Sequence, residues 1–91
     1  MTDVEKIALH YGFAEQSRQT IEEMAELTVA ISKIHRGWGK ETYNNLIEEI
    51  ADVEIMLEQL KYLSNSCYQV RNIKKQKIQR QLNRIKAEKK Q

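Results

Sequence analysis

Two stretches of the chain carry carboxylates at a spacing that places them on one side of a helix: IEEMAEL, Ile21 to Leu27, and IEEIADV, Ile47 to Val53. At about 100° per residue, Glu23 falls inside an apolar arc, between Ala30 and Ile34, and Glu26 lies at the edge of that arc one turn further on. Glu22 points away, toward Val29 and Lys33. In the second stretch Glu49 falls between Met56 and Leu60, with Asp52 on the rim and Glu48 turned away. Each segment therefore presents an i, i+3 carboxylate pair whose first member stands among apolar residues. A single glutamate so placed ordinarily packs its stem and reaches water with its head, and solvated surface acids are the alternative reading. Two such pairs on consecutive helices are harder to solvate, because antiparallel packing brings all four carboxylates toward one region. An unpaired charge in a partly dry site costs about several kcal/mol. A cation among the four relieves this. Oxygen-only ligands select a hard divalent ion, Mg²⁺ or Mn²⁺, over zinc or copper. A di-iron bundle would need Glu-x-x-His pairs, and neither His10 nor His35 stands three residues after an acid.

The elements that must hold these pairs are helices. The chain has 91 residues, no Pro, three Gly and 31% charged residues, a composition suited to long amphipathic helices rather than a turn-rich β fold. One all-α domain over residues 1–91 is expected. Thr2 and Glu5 form a capping box for a short first helix, which Gly12 stops. The second helix runs from about Ala14 to His35 and closes at Gly37 and Gly39. After the loop RGWGKET, Asn45 with Glu48 is a capping start for a third helix that reaches about Leu63. SNSCY then breaks the pattern, with Asn65 as a helix stop or, in the alternative, a substrate contact, and a basic helix over about residues 69–88 carries a sparse apolar stripe of Ile78, Leu82 and Ile85. The apolar arcs of the second and third helices are too wide for one short chain to cover, so a four-helix core completed by oligomerisation is predicted.

Charge divides the chain unevenly. Residues 1–68 carry 6 Lys and Arg against 12 Asp and Glu, or −6, and residues 69–91 carry 9 against 1, or +8. The apolar runs are too short to cross a bilayer, the N-terminus has no cleavable apolar core, and Cys67 stands alone, so a cytoplasmic location is expected and no disulfide within the chain. Cys67 is assigned no role.

With these residues identified, the chain resembles the MazG-like all-α nucleoside triphosphate pyrophosphatase superfamily. That family is marked by E-E-x-x-E on one helix and E-x-x-D on the next, which here read Glu22-Glu23-Met24-Ala25-Glu26 and Glu49-Ile50-Ala51-Asp52. The surrounding QTIEEMAELTVAISK and NLIEEIADVEIMLEQL are also similar, so the likeness covers about residues 16–63. It implies four metal-binding carboxylates, Glu23, Glu26, Glu49 and Asp52, and hydrolysis of a nucleoside triphosphate to the monophosphate and pyrophosphate. It also implies a homodimer or a dimer of dimers. The basic tail lies outside the motif.

Within that reading, Glu26 doubles as the base that takes a proton from water. Glu22 and Glu48 are the other candidate bases, although both point away from the metal face and the direction of Glu22 favours pairing with Lys33 or another basic group. Lys33, Arg36 and Lys40 flank the loop, where they meet phosphate or simply suit a helix C-terminus. Trp38 stacks on a nucleobase or packs on the bundle. In the tail Lys74, Lys77, Arg80 and Arg84 share a face, and Lys77, Arg80 and Arg84 are assigned to the triphosphate. Two rival readings stand beside the enzyme: a nucleic-acid-binding module that uses the basic tail, and a structural bundle without activity. The first lacks a binding motif and interleaved aromatics, and its acidic body repels phosphate.

Overall fold

A computed structural model describes residues 1–89. It contains three helices and, among the described residues, no strand: α1 (Asp3–Arg36), α2 (Lys40–Leu63) and α3 (Cys67–Lys89). The Thr2 hydroxyl accepts from the Glu5 N–H at 3.1 Å, and the Glu5 carboxylate accepts from the Thr2 N–H at 2.9 Å, closing the predicted capping box. Gly12 breaks α1 into two arms by adopting φ 85° and ψ 170°. That region of backbone space is essentially closed to residues with a Cβ, at a cost of about 1–3 kcal/mol. A methyl group at position 12 would meet nothing within 4 Å, so the penalty is one of backbone strain alone. Gly12→Ala is accordingly expected to destabilise the protein by about 1–3 kcal/mol in denaturant titration; an unchanged midpoint would show that the break is not required.

The turn between α1 and α2 is tighter than the sequence suggests. Only Gly37–Gly39 lie outside the helices, and α2 begins at Lys40 rather than at Asn45. Thr42 makes this start feasible, since its hydroxyl accepts from the Gly39 N–H at 2.9 Å and donates to the Gly39 carbonyl at 3.0 Å. A side chain inside the first turn thus does the capping that Asn45 was expected to do, and Asn45 lies within the helix. At the other end, Asn65 is left-handed with φ 53°, a conformation asparagine tolerates, and it stops α2 as anticipated.

The second arm of α1 and α2 pack antiparallel along their length, while α3 touches α2 only at the elbow and, among the described residues, does not touch α1. The core is small: Ala8, Ala30, Val53 and Met56, together with the polar Gln16, Thr20 and Gln59. Leu27, Ile34, Leu46 and Leu60 are half-buried beside them. The apolar arcs are therefore only half covered. Ile21 is 70% exposed, Met24 51%, Ile50 41% and Leu57 44%. Stepping 100° per residue around two antiparallel helices puts Phe13, Ile21, Met24 and Ile31 of α1 on the same side of the hairpin as Ile47, Ile50 and Leu57 of α2. Glu26 and Asp52 fall on the opposite side.

The chain is extended and exposes more surface than a compact chain of its size. The radius of gyration is 16.8 Å, against about 12 Å for a compact chain of this length. The accessible surface is 7478 Å², against about 5,500 Å² for a compact monomer of this mass.

Candidate metal centre

The antiparallel hairpin brings the two carboxylate segments face to face. Glu23 sits at the middle of the α1 surface that meets α2, near the buried Gln16 and Thr20, and Glu49 holds the equivalent position on α2 near Val53 and Met56. One carboxylate oxygen from each of Glu23, Glu49 and Asp52 lies within 4.8 Å of the others. Glu23 and Glu49 are half-buried and Asp52 is exposed, so the cluster opens to solvent at its Asp52 edge.

Two observations separate this cluster from ordinary surface acids. Glu49 Oε2 is shut off from water and has no hydrogen-bond partner. A buried acceptor left unmade is costly, and its environment calls for a donor or a cation. Desolvation pushes the Glu49 carboxyl above its ordinary pKa, and the negative charges of Asp52, Glu26, Glu23 and Glu48 push it the same way. No lysine or arginine among the described residues lies within ion-pair distance of Glu23, Glu26, Glu49 or Asp52. The residues present fit a hard divalent cation: three converging carboxylates, one of them with an orphaned buried oxygen, and no nitrogen or sulfur donor in the group.

A polar layer lies behind the carboxylates that reading the sequence for acids and apolar arcs missed. Gln16 donates to Gln59 at 2.7 Å across the helix interface, and Gln59 is almost completely buried. Gln19 donates to Glu23 Oε1 at 2.9 Å, which orients that carboxylate and leaves its other oxygen free. Gln16, Thr20 and Glu23 share one face at i, i+4 and i+7, so the signal was present in the polar residues of the arc.

The remaining predicted residues are distributed as follows. Glu26 is exposed one turn beyond Glu23; its charge acts on Glu49, but its carboxylate is not among the three that converge. Glu22 is exposed and makes no ion pair among the described residues. Its expected pairing with Lys33 fails because the two are three helical turns, about 16 Å, apart. Lys33 is exposed near the end of α1. Trp38 is exposed in the turn with its ring 6.3 Å from that of Tyr43. Lys77, Arg80 and Arg84 are exposed on α3, away from the carboxylates of their own chain.

The chain matches no family model, no curated protein and no solved structure. No helix among the described residues is long and apolar enough to cross a membrane.

Proposed function

We propose that the protein is a Mg²⁺-dependent nucleoside triphosphate pyrophosphohydrolase that converts an NTP or dNTP and water to the monophosphate and pyrophosphate. The observation that carries this reading is the convergence of Glu23, Glu49 and Asp52, with Glu49 Oε2 buried and unpartnered. The E-E-x-x-E and E-x-x-D motifs resembling the MazG-like superfamily supply the reaction class.

Glu23, Glu49 and Asp52, with Glu26 at the edge, would hold Mg²⁺ or Mn²⁺. When bound, such an ion neutralises phosphate oxygens and lowers the pKa of water. The chain's own residues do the rest. Gln19 fixes the orientation of Glu23, and the Gln16–Gln59 pair fixes the separation of the two helices behind it. Glu26, exposed beside the cluster and outside the converging trio, takes the proton of the attacking water. The oxygen of that water bonds to the α-phosphorus as the bond to the bridging oxygen breaks and pyrophosphate leaves. Glu22 lies on the outer side of α1 and ranks behind Glu26 as base. Lys33, on the same side of α1 as Glu26, and Trp38 in the turn serve phosphate and base.

Lys77, Arg80 and Arg84 do not approach the carboxylates of their own chain, so their contact with a triphosphate is made in a neighbouring copy of a homodimer or a dimer of dimers. Arg80→Ala is expected to raise KM several-fold with kcat and helical content preserved, because a phosphate contact made equally in ground and transition states affects binding alone. Unchanged hydrolysis together with a salt-dependent loss of DNA or RNA binding would instead favour the nucleic-acid reading.

The test of the function is a pyrophosphate-release screen across the common NTPs and dNTPs, with and without Mg²⁺. Equimolar monophosphate and pyrophosphate, formed only with the metal, are expected. Release of orthophosphate, or no turnover of any nucleotide, would overturn the assignment.

A further inference from the structure

α3 is a helix without a core. None of its residues is buried, it touches only the end of α2, and Ile78, Leu82 and Ile85 are 41–57% exposed. At 100° per residue these three form one narrow stripe with cations on both sides: Lys75 and Lys86 on one flank, Lys77 and Arg84 on the other. Gln76 and Asn83 lie on the far side with Arg80 among them. A surface that satisfies this helix must be apolar along its middle and acidic along its edge, which nucleic acid and a purely anionic surface are not.

The chain itself displays a surface that combines apolar and acidic residues. On the outer side of α2, Ile47, Ile50 and Leu57 are exposed, with Glu54 between Ile50 and Ile47 around the helix and Glu58 beside Ile47. Neither glutamate has an ion-pair partner among the described residues. The α3 of the same chain does not cover this strip, because Asn65 turns the chain at the elbow. Ser66 N–H holds the Lys61 carbonyl at 2.9 Å, and the Ser64 and Ser66 hydroxyls bond at 2.7 Å. The result is an open notch between α2 and α3, lined by Leu57, Leu60 and Val70.

We propose that α3 is an exchanged arm, seated on the α2 of a second copy with Ile78, Leu82 and Ile85 against Ile47, Ile50 and Leu57. One basic flank meets Glu54 and Glu58 there. Two features of the single chain require a partner of this kind: about 2,000 Å² of surface beyond that of a compact monomer, and an acidic body beside a basic arm in one polypeptide. A two-fold related pair makes the exchange reciprocal, so each strip and each arm is satisfied once. The inference rests on the assembly part of the proposed function and not on hydrolysis.

The experiment uses the whole chain. Protein labelled with ¹⁵N and unlabelled protein are refolded together in equal amounts and treated with a carbodiimide, which condenses a lysine amine with a carboxylate, releases water to the reagent as a urea, and leaves an amide. Linked peptides joining an α3 lysine to Glu54 or Glu58 are then read by mass spectrometry. The expected result is that these links carry mixed isotopes in the proportion given by random pairing. Links confined to one isotope would show that α3 folds back on its own chain, and the absence of any such link would show that the arm is free; either overturns the proposal. Neither result bears on pyrophosphate release, so failure of the arm and failure of the enzyme reading are separable.

Discussion

Glu49→Gln is expected to lower Mg²⁺-dependent pyrophosphate release by at least about a hundredfold while leaving the helical circular dichroism intact. Groups that merely orient a metal ligand contribute about 10–100-fold to metal affinity or activity, and Glu49 is itself one of the three converging carboxylates. Glutamine keeps the shape but removes the charge. The second half of the prediction concerns stability without metal. Burial and four neighbouring carboxylates raise the pKa of Glu49 in the folded state. A carboxyl whose folded pKa exceeds its unfolded value lends stability that is complete below the unfolded value, 4.5, and that is lost as pH rises through the folded value. In chelator, wild-type protein should therefore lose stability as pH climbs from the acid side toward neutrality. Glutamine cannot ionise, so the variant lacks this loss. It should unfold at higher denaturant than wild type at about pH 7 and at a similar concentration at about pH 4, where the wild-type carboxyl is largely protonated. Added Mg²⁺ should raise the midpoint of wild type and not that of the variant, since a ligand stabilises only the state that binds it. A variant that hydrolyses nucleotides normally would remove Glu49 from the site. One less stable than wild type in chelator near neutrality would contradict the buried, unpartnered carboxylate oxygen described above.

The site was legible in the sequence to the extent that helical periodicity governs it. Glu23 and Glu49 stand in the middle of apolar arcs, and a hairpin with a short turn has few ways to avoid bringing them together. Thr2, Gly12 and Asn65 were readable as punctuation because each acts within its own few residues. Features that depend on the partner helix were less accessible. Gln59 is buried because Gln16 lies opposite it, 43 positions away in sequence, and nothing within either segment announces the pairing. The early start of α2 rests on a hydroxyl used in a less familiar direction, with Thr42 reaching back to Gly39 instead of Asn45 reaching forward. The absence of α3 from the vicinity of its own carboxylates is set by the elbow at Ser64–Ser66. The pattern of α3 shows an apolar stripe between cations but does not say what covers it.

Ile50→Glu is expected to dissociate the assembly, whereas Ile55→Glu is expected to leave it intact. The two isoleucines lie on the same helix and are almost equally exposed, at 41% and 42%. Exposure alone therefore gives no reason to treat them differently. They differ in side. Ile50 belongs to the apolar face that Phe13, Ile21, Met24 and Ile31 of α1 continue, and Ile55 lies 140° away around α2, beside the carboxylates. Burial of that face in a second copy would place a glutamate at position 50 in an apolar interface, and two-fold symmetry would place it there twice. At several kcal/mol per uncompensated ion, the pair would cost about 4 kcal/mol or more, weakening association about a thousandfold. With its small core of Ala8, Ala30, Val53 and Met56, a chain so separated should also lose helical signal, because little burial would remain to hold the hairpin. At position 55 the same charge adds to an already acidic rim and is solvated. Light scattering and circular dichroism at micromolar concentration distinguish the two. Wild type and Ile55→Glu should share one oligomeric mass while Ile50→Glu gives a monomer with reduced helicity. Equal masses for all three chains, or a monomeric wild type, would show that this face is not buried between copies.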